Sequence, residues 1–413
     1  MEENKEKLKI GLFIDTWFPM VDGVIMVVDN YARRLSKFCD VTVFTMRPLK
    51  KTDKTYPYKV VQCKAIKFGT LDYELPVPDL DKKFMKTLEN SSLDIVHIHS
   101  PFALGRVGVD YAYKHNIPAI VTMHSQYKKD FYTATKSKLL TKLLLNEVIH
   151  TYNRCDEYYA VNQKIAEIYL GYGSLHMPKV QRNGTDFVPI QNTKDALDLV
   201  NQTYNLKPEE NVFLFVGRIN KIKNIFFTVD SLALLKDKNF KMMFVGDGQD
   251  MEALKAHIHE RGLDDNVILT GKIMDRDLIS AIYLRAKLFL FPSTYDASSL
   301  VQIEAASQKT PTLFIRGSAT SSTVTEDVDG YMCEEDPAKF AQKIEEILAD
   351  ENHYANVCEN AFKNLYVSWD DCVKEMYEKY LYHINRHKRK THLLSLFREK
   401  QNKPIKTTKW NKK

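Results

Sequence analysis

The stretch "KLFLFPSTYDASSLVQIEAAS", residues 287–307, decides how this chain folds. Its opening, "KLFLF", is apolar without alternation, as a strand covered on both faces of a parallel sheet must be. Further on stands "SLVQ", Ser299 to Gln302, a serine followed three residues later by a glutamine. That is a capping box: the serine oxygen takes the amide of Gln302 and the glutamine reaches back to the amide of Ser299. A buried strand, an irregular turn and a capped helix in immediate succession make half of a βαβ unit.

The mouth of that helix also carries chemistry. The amides of Leu300 and Val301 have no acceptor within the helix and lie at the positive end of its dipole, which makes an anion site. Asp296 precedes the cap and Glu304 follows eight positions after it. At 1.5 Å per residue Glu304 lies about 6–8 Å along the axis from the free amides. It is too far to touch the same anion and well placed for hydroxyls attached to it. Asp296 would serve a group on the other side. A diphosphate flanked by a ribose and a sugar has that layout. Two acids so separated do not act as the acid and nucleophile of a glycosidase on one bond.

Outward from this stretch the same alternation recurs twice. "KIGLFID", "VTVFTM", "DIVHIHS", "AIVTMHS" and "EYYAVN" read as strands of a first sheet. "VFLFVGR", "KMMFVGDG", "NVILTGK", "KLFLFPS" and "TPTLFIRG" read as strands of a second, with helical stretches such as "VVDNYARRLSKF" and "DMEALKAHIHERG" between them. The polar segment 186–211 lacks a strong apolar run and reads as the connection. The fold class is α/β, two doubly wound Rossmann-like domains facing across a cleft, over residues 1–190 and 191–385, the last helix of the second packing back on the first, with a basic tail at 386–413.

In such sheets ligands bind beyond the carboxyl ends of the strands, so the residues there are the candidates. After "KIGLFID" comes "TWFPMVDGV", where Gly23 opens a helix and lets a phosphate approach the backbone. After "AIVTM" comes His124. After "VFLFVG" come Arg218 and Lys223, a fork and a point charge suited to a diphosphate. His97 and His99 alternate on one strand with no further metal ligands in pattern, and read as structural. "DLD" at 79–81 and "DRD" at 275–277 do not follow strands and are not metal sites. Neither GxGxxG nor a P-loop pattern occurs at the first turn, which disfavours dinucleotides and nucleoside triphosphates.

Taken in order, "VGRINKIKN", "MMFVGDGQDMEAL", "VILTGK" and "FLFPSTYDASSLVQIEAAS" resemble the motifs of the retaining glycosyltransferases of family four, with the GT-B fold, over roughly residues 7–380. The bacterial branch that glycosylates membrane lipids or lipid-linked glycans is the part of the family suggested. The resemblance implies transfer from a nucleotide diphosphate sugar, UDP-linked, to a lipid, lipid-linked or glycan acceptor, with no cofactor and no metal. It places the diphosphate on Arg218 and Lys223, the ribose on Glu304, the donor sugar on Asp296, the phosphate side on Gly23 and the reacting bond near His124. In the family the leaving phosphate is often proposed as the base. Ser299, Leu300 and Val301 complete the donor cradle. The sequence departs from the family at Asp296, where glutamate is usual, at Ala297, Ser298 and Ser299, which replace Gly-Phe-Gly, and at Asp22, where many members have glycine. A nucleotide-sugar epimerase on the same fold, or a non-catalytic nucleotide-sugar-binding protein, are the alternatives; turnover with release of a transferred product separates them.

Composition agrees with a globular chain: 413 residues, 44% hydrophobic and 11% aromatic. Six cysteines without CxxC spacing read as reduced buried thiols. The charged N-terminus and the lack of a spanning apolar run point to a cytoplasmic chain. Residues 386–413 carry eleven Lys and Arg against one acid, or +10, and the whole chain carries +6, so the rest stands at −4. A slightly acidic body disfavours nucleic acid as a partner. The tail, with Leu393, Leu394 and Phe397 among its cations, and "KSKLLTKLLLNEVIH" at 136–150 suit the anionic inner face of a membrane.

Overall fold

The computed structural model describes residues 7–20, 22–50, 53–67 and 74–401, with the backbone alone at 390 and 392–401. Its first sheet takes β1 (Lys9–Phe13), β2 (Asp40–Met46) and β3 (Lys59–Cys63). A small antiparallel hairpin, β4 (Ala65–Lys67) with β5 (Glu74–Pro76), leaves its edge. The sheet resumes with β6 (Ile95–Ile98), β7 (Ala119–Met123), β8 (Glu157–Ala160) and β9 (Lys179–Val180). The second sheet takes β10 (Asn211–Val216), β11 (Phe240–Val245), β12 (Val267–Gly271), β13 (Leu288–Phe291), β14 (Thr312–Ile315) and β15 (Tyr331–Cys333).

Both sheets are parallel, in the orders β3-β2-β1-β6-β7-β8-β9 and β12-β11-β10-β13-β14-β15. Each winds outward from β1 or β10 and then reverses, so each has a switch point, between β1 and β6 and between β10 and β13. The apolar runs predict this burial well: Val212 to Phe215 on β10 and Leu288 to Phe291 on β13 are almost wholly covered, because helices lie on both faces.

Two elements differ from the sequence reading. The segment 186–211 is not only a connection, since Thr193–Tyr204 is a helix whose Val200 enters the second core. Asn192 caps it and Asn205 ends it in the left-handed region, so two asparagines supply what an apolar run did not. The strand β3, with one buried residue in five, lies at a sheet edge and lacks the continuous apolar run of the central strands.

The last helix, Trp369–Gln401, leaves the second half and packs on the first. Trp369, Val373, Met376 and Tyr380 enter the core formed around β1 and the helix Gly23–Leu35. Its Tyr380 hydroxyl stands 2.7 Å from His97 Nδ1 and its His383 Nε2 2.9 Å from the Tyr159 hydroxyl. The side chains of Leu393, Leu394 and Phe397, and residues 402–413, lie outside the described residues.

The glycines of the second sheet's motifs have a steric origin. Gly246 has φ +143°, and a Cβ there would stand 1.9 Å from the carbonyl oxygen of Gly217. The ends of β10 and β11 can meet only if residue 246 carries no side chain. Gly23 is the opposite case: a Cβ there meets nothing within 4 Å. Gly246→Ala is therefore expected to lose about 2–3 kcal/mol of stability. Gly23→Ala should unfold as the parent does. Thermal denaturation of the two variants checks this; a parent-like Gly246→Ala would remove the steric account.

Candidate functional site

The two switch points face each other, and the loops leaving them line one cavity. Its walls include Gly23, His124, Gln126, Asp296, Ser298 and Leu300. On the first half, Asp22 caps the helix Gly23–Leu35, its Oδ1 accepting the amide of Val24 at 2.7 Å. On the second, Ser299 caps the helix Leu300–Ser307, its Oγ accepting the amide of Gln302 at 3.2 Å. Extended backbone at Ser299 turns the chain from loop to helix.

The capping box is only half made, which corrects the sequence reading. Gln302 is buried, and its Oε1 accepts the Thr323 hydroxyl at 2.8 Å instead of the Ser299 amide. A buried amide oxygen takes the partner that tertiary packing brings, even where a local one exists. The amides of Ser299, Leu300 and Val301 consequently have no protein acceptor among the described residues. Three amides at a helix mouth make a wider anion cradle than two.

Asp296 and Lys223 meet directly. The Lys223 ammonium is ion-paired with Asp296 Oδ1, and both side chains are mostly buried. The sequence reading gave the two residues separate ligand groups; the structure joins them across the ends of β10 and β13. Asp296 Oδ2 is buried and has no hydrogen-bond donor among the described residues. Arg218, also after β10, is exposed and does not line the cavity.

Glu304 lies one turn deeper in the mouth helix, accepting the Tyr283 hydroxyl at 2.9 Å. Burial pushes its carboxyl up to about 6, against the Tyr283 hydrogen bond and the Arg276 charge, which pull it down. The Arg276 guanidinium in turn lies 4.6 Å over the ring of Phe187. His124, after β7, is 7% exposed, and burial lowers it to about 3, so the imidazole is neutral. Its Nε2 stands 3.0 Å from His99 Nδ1. His97 keeps the structural role the sequence suggested, between Tyr380 and Thr122. His99 is buried beside it, its Nδ1 meeting His124. Asp81 and Asp275, from the two DxD stretches, are helix caps.

Several residues of the site escaped the sequence reading because they come from the opposite half. Asn162 Nδ2 donates to the Ala297 carbonyl at 2.7 Å, and Asn183 Nδ2 to Ser298 Oγ at 3.2 Å. Gln126 Nε2 donates to the Tyr295 carbonyl at 3.3 Å and Lys129 Nζ to that of Thr294 at 3.1 Å. The Tyr295 hydroxyl donates to Asp130. Asn162 and Gln126 do follow β8 and β7, so their positions carried some indication; Asn183 follows the two-residue β9, which has no apolar run to mark it.

The chain is similar to proteins of known family and fold. Residues 21–187 match the model described as Glycosyltransferase Family 4, and residues 199–364 the one described as Glycosyl transferases group 1. An alpha-monoglucosyldiacylglycerol synthase of Acholeplasma laidlawii is 23% identical, over 90% of this chain and 95% of its own. An N-acetyl-alpha-D-glucosaminyl L-malate synthase of Bacillus anthracis is 22% identical, over 92% of this chain and 98% of its own. Among solved structures, HepE of Anabaena, in complex with UDP and glucose, superposes with a TM-score of 0.68 at 16% identity, over 90% of this chain and 99% of its own.

The raised carboxyl of Glu304 has a measurable consequence. A folded value near 6 lies above the ordinary 4.5, so the protonated form favours the fold. That contribution is complete below 4.5 and is lost as pH rises through 6. Above that range the ionised group costs about 2 kcal/mol at most. Glu304→Gln should gain about 1–2 kcal/mol at neutral pH, the gain fading below the ordinary carboxylate value. Urea denaturation across pH checks it; a gain of the same size at every pH would detach the effect from ionisation.

Proposed function

Since the chain belongs to the family-four, group 1 glycosyltransferases, we propose that it moves a hexose from a UDP-linked donor to a lipid or lipid-linked acceptor with retained anomeric configuration. The observation that carries this reading is a pairing of unmet needs at the helix mouth. Three amides there lack acceptors, and Asp296 Oδ2 beside them lacks a donor. An anion bearing a hydroxylated ring satisfies both at once: phosphate oxygens on the amides, a sugar hydroxyl on the carboxylate. Glu304 then takes the ribose hydroxyls, in competition with Tyr283. Residues 1–190 supply the acceptor side and 191–385 the donor side.

As the bond from the anomeric carbon to the diphosphate breaks, its electron pair stays on the phosphate oxygen. Lys223 and the mouth amides stabilise that charge. The acceptor oxygen bonds to the anomeric carbon on the face the phosphate leaves, and its proton passes to the departing phosphate. Gly23 gives the phosphates room at the first half's helix. Asp296 holds the sugar and, through its other oxygen, holds Lys223 in place.

The relatives differ in acceptor by name, a diacylglycerol in one and malate in another. The surface favours a lipid here. On the helix Lys138–Asn153, Thr141, Leu145, Val148 and Ile149 face the core. Leu139, Leu140, Leu143 and Leu144 are 69%, 49%, 52% and 41% exposed. Lys136, Lys138 and Lys142 stand among them, all exposed. An apolar face ringed by cations fits an anionic bilayer surface. No helix among the described residues is long and apolar enough to cross a membrane.

Screening nucleotide sugars for nucleoside diphosphate release, with and without lipid acceptors, tests the reaction. UDP release that depends on a lipid is expected; release with water-soluble glycans alone would redirect the acceptor. Lys223→Met and Asp296→Asn should each lower kcat about 10²-fold, and unchanged rates would remove the assignment. Liposome sedimentation tests the surface separately. Leu140→Ser with Leu143→Ser should reduce partition onto anionic vesicles, whereas loss only on removal of the segment after Thr391 would assign the contact to the tail.

A further inference from the structure

Three imidazoles lie in a row behind the cavity wall. The rings of His97 and His99 are 4.0 Å apart and those of His99 and His124 5.3 Å. Both nitrogens of His97 are used, by the Tyr380 and Thr122 hydroxyls. His99 is 1% exposed; its Nδ1 meets His124 Nε2 at 3.0 Å, and its Nε2 has no partner among the described residues. His124 lines the cavity. With Nε2 turned to His99, its Nδ1 is the polar atom left for whatever the cavity holds.

Burial keeps both imidazoles neutral, so one proton lies between Nδ1 of His99 and Nε2 of His124. Two arrangements are open. If His124 donates, the proton of His99 must sit on its Nε2, a buried N–H with no acceptor. If His99 donates, its Nε2 is a bare ring nitrogen. An orphaned buried N–H is the costlier of the two, since proteins leave buried acceptors unpartnered more often than buried N–H donors. The second arrangement wins. His124 must then carry its own proton on Nδ1.

We propose that His99 is a positioning residue that fixes the tautomer of His124, so that His124 presents an N–H donor, and not a basic lone pair, to the bound donor substrate. The inference rests on the glycosyl-transfer reading for the identity of the ligand, although the tautomer itself does not. A neutral N–H aimed at the cavity binds an oxygen of the sugar or of the phosphate. It cannot take the acceptor's proton, which leaves that proton to the departing phosphate.

Two-bond ¹H–¹⁵N correlation spectra of the full chain, labelled at histidine, read the tautomer without any assay of activity. His124 is expected to show a protonated Nδ1 and a bare Nε2, and the reverse would overturn the proposal whatever the enzyme's substrate. Two variants extend the test. In His99→Asn the amide N–H₂ can replace the donor, and kcat should stay within a few-fold of the parent. In His99→Asp only acceptors face His124, which turns its proton to Nε2; kcat should fall about 10²–10⁴-fold, and the His124 spectrum should change with it. Equal losses in two folded variants, with the His124 spectrum unmoved, would reduce His99 to packing.

Discussion

Parallel pairing is the constraint on which the rest depends. It sends every strand's carboxyl end, and hence every following helix's amino end, to one edge of its sheet. In this chain the orders β3-β2-β1-β6 and β12-β11-β10-β13 each reverse once, and each reversal parts two loops. The loops after β1 and β13 end in capped helix mouths, at Asp22 and Ser299. Because the last helix returns to the first half, its Trp369 and Tyr380 sit in the core beneath β1, and the two edges are held facing each other. Two positive helix ends opposed across a cavity are costly to leave without a negative ligand, and the protein supplies only part of that charge itself.

The part it supplies is arranged so as to yield. Asp296 gives one oxygen to Lys223 and keeps the other buried and unmatched. Glu304 is held under enough protein to raise its carboxyl, with a tyrosine hydroxyl as its hydrogen-bond donor. A site optimised for its own stability would pair these groups fully or replace them with apolar ones. Their incomplete satisfaction is what a ligand's hydroxyls and phosphates can complete. The neutral histidines behind them add direction without adding charge.

Local chemistry was legible in the sequence where one stretch contained both partners. Ser299 and Gln302 are three apart, and the Ser299 cap forms as the spacing implies. The reciprocal bond fails because Thr323, twenty-one positions later, offers Gln302 a hydroxyl inside the fold. Buried central strands announced themselves by unbroken apolar runs; the edge strand β3, half open to solvent, did not. The helix Thr193–Tyr204 was hidden for a related reason, since Val200 is its one fully buried residue. The contact between His99 and His124 was hidden because His124 follows the next strand. None of these partners could be placed before the sheet order was known.

That sheet order also gives a reason for the unusual residues in the loop 293–299. Where the family has a glycine, a phenylalanine and a second glycine, this chain has Ala297, Ser298 and Ser299. Ser299 provides the cap. Ser298 provides a hydroxyl that Asn183 grips from the first half, next to the bond from Asn162 to the Ala297 carbonyl. Gln126, Lys129 and Asp130 add three more ties to residues 294 and 295. A neutral hydrogen bond contributes about 1 kcal/mol net, and the two from Asn162 and Asn183 are neutral and partly buried. Loop 293–299, beside the capped helix mouth, therefore ties the two halves together.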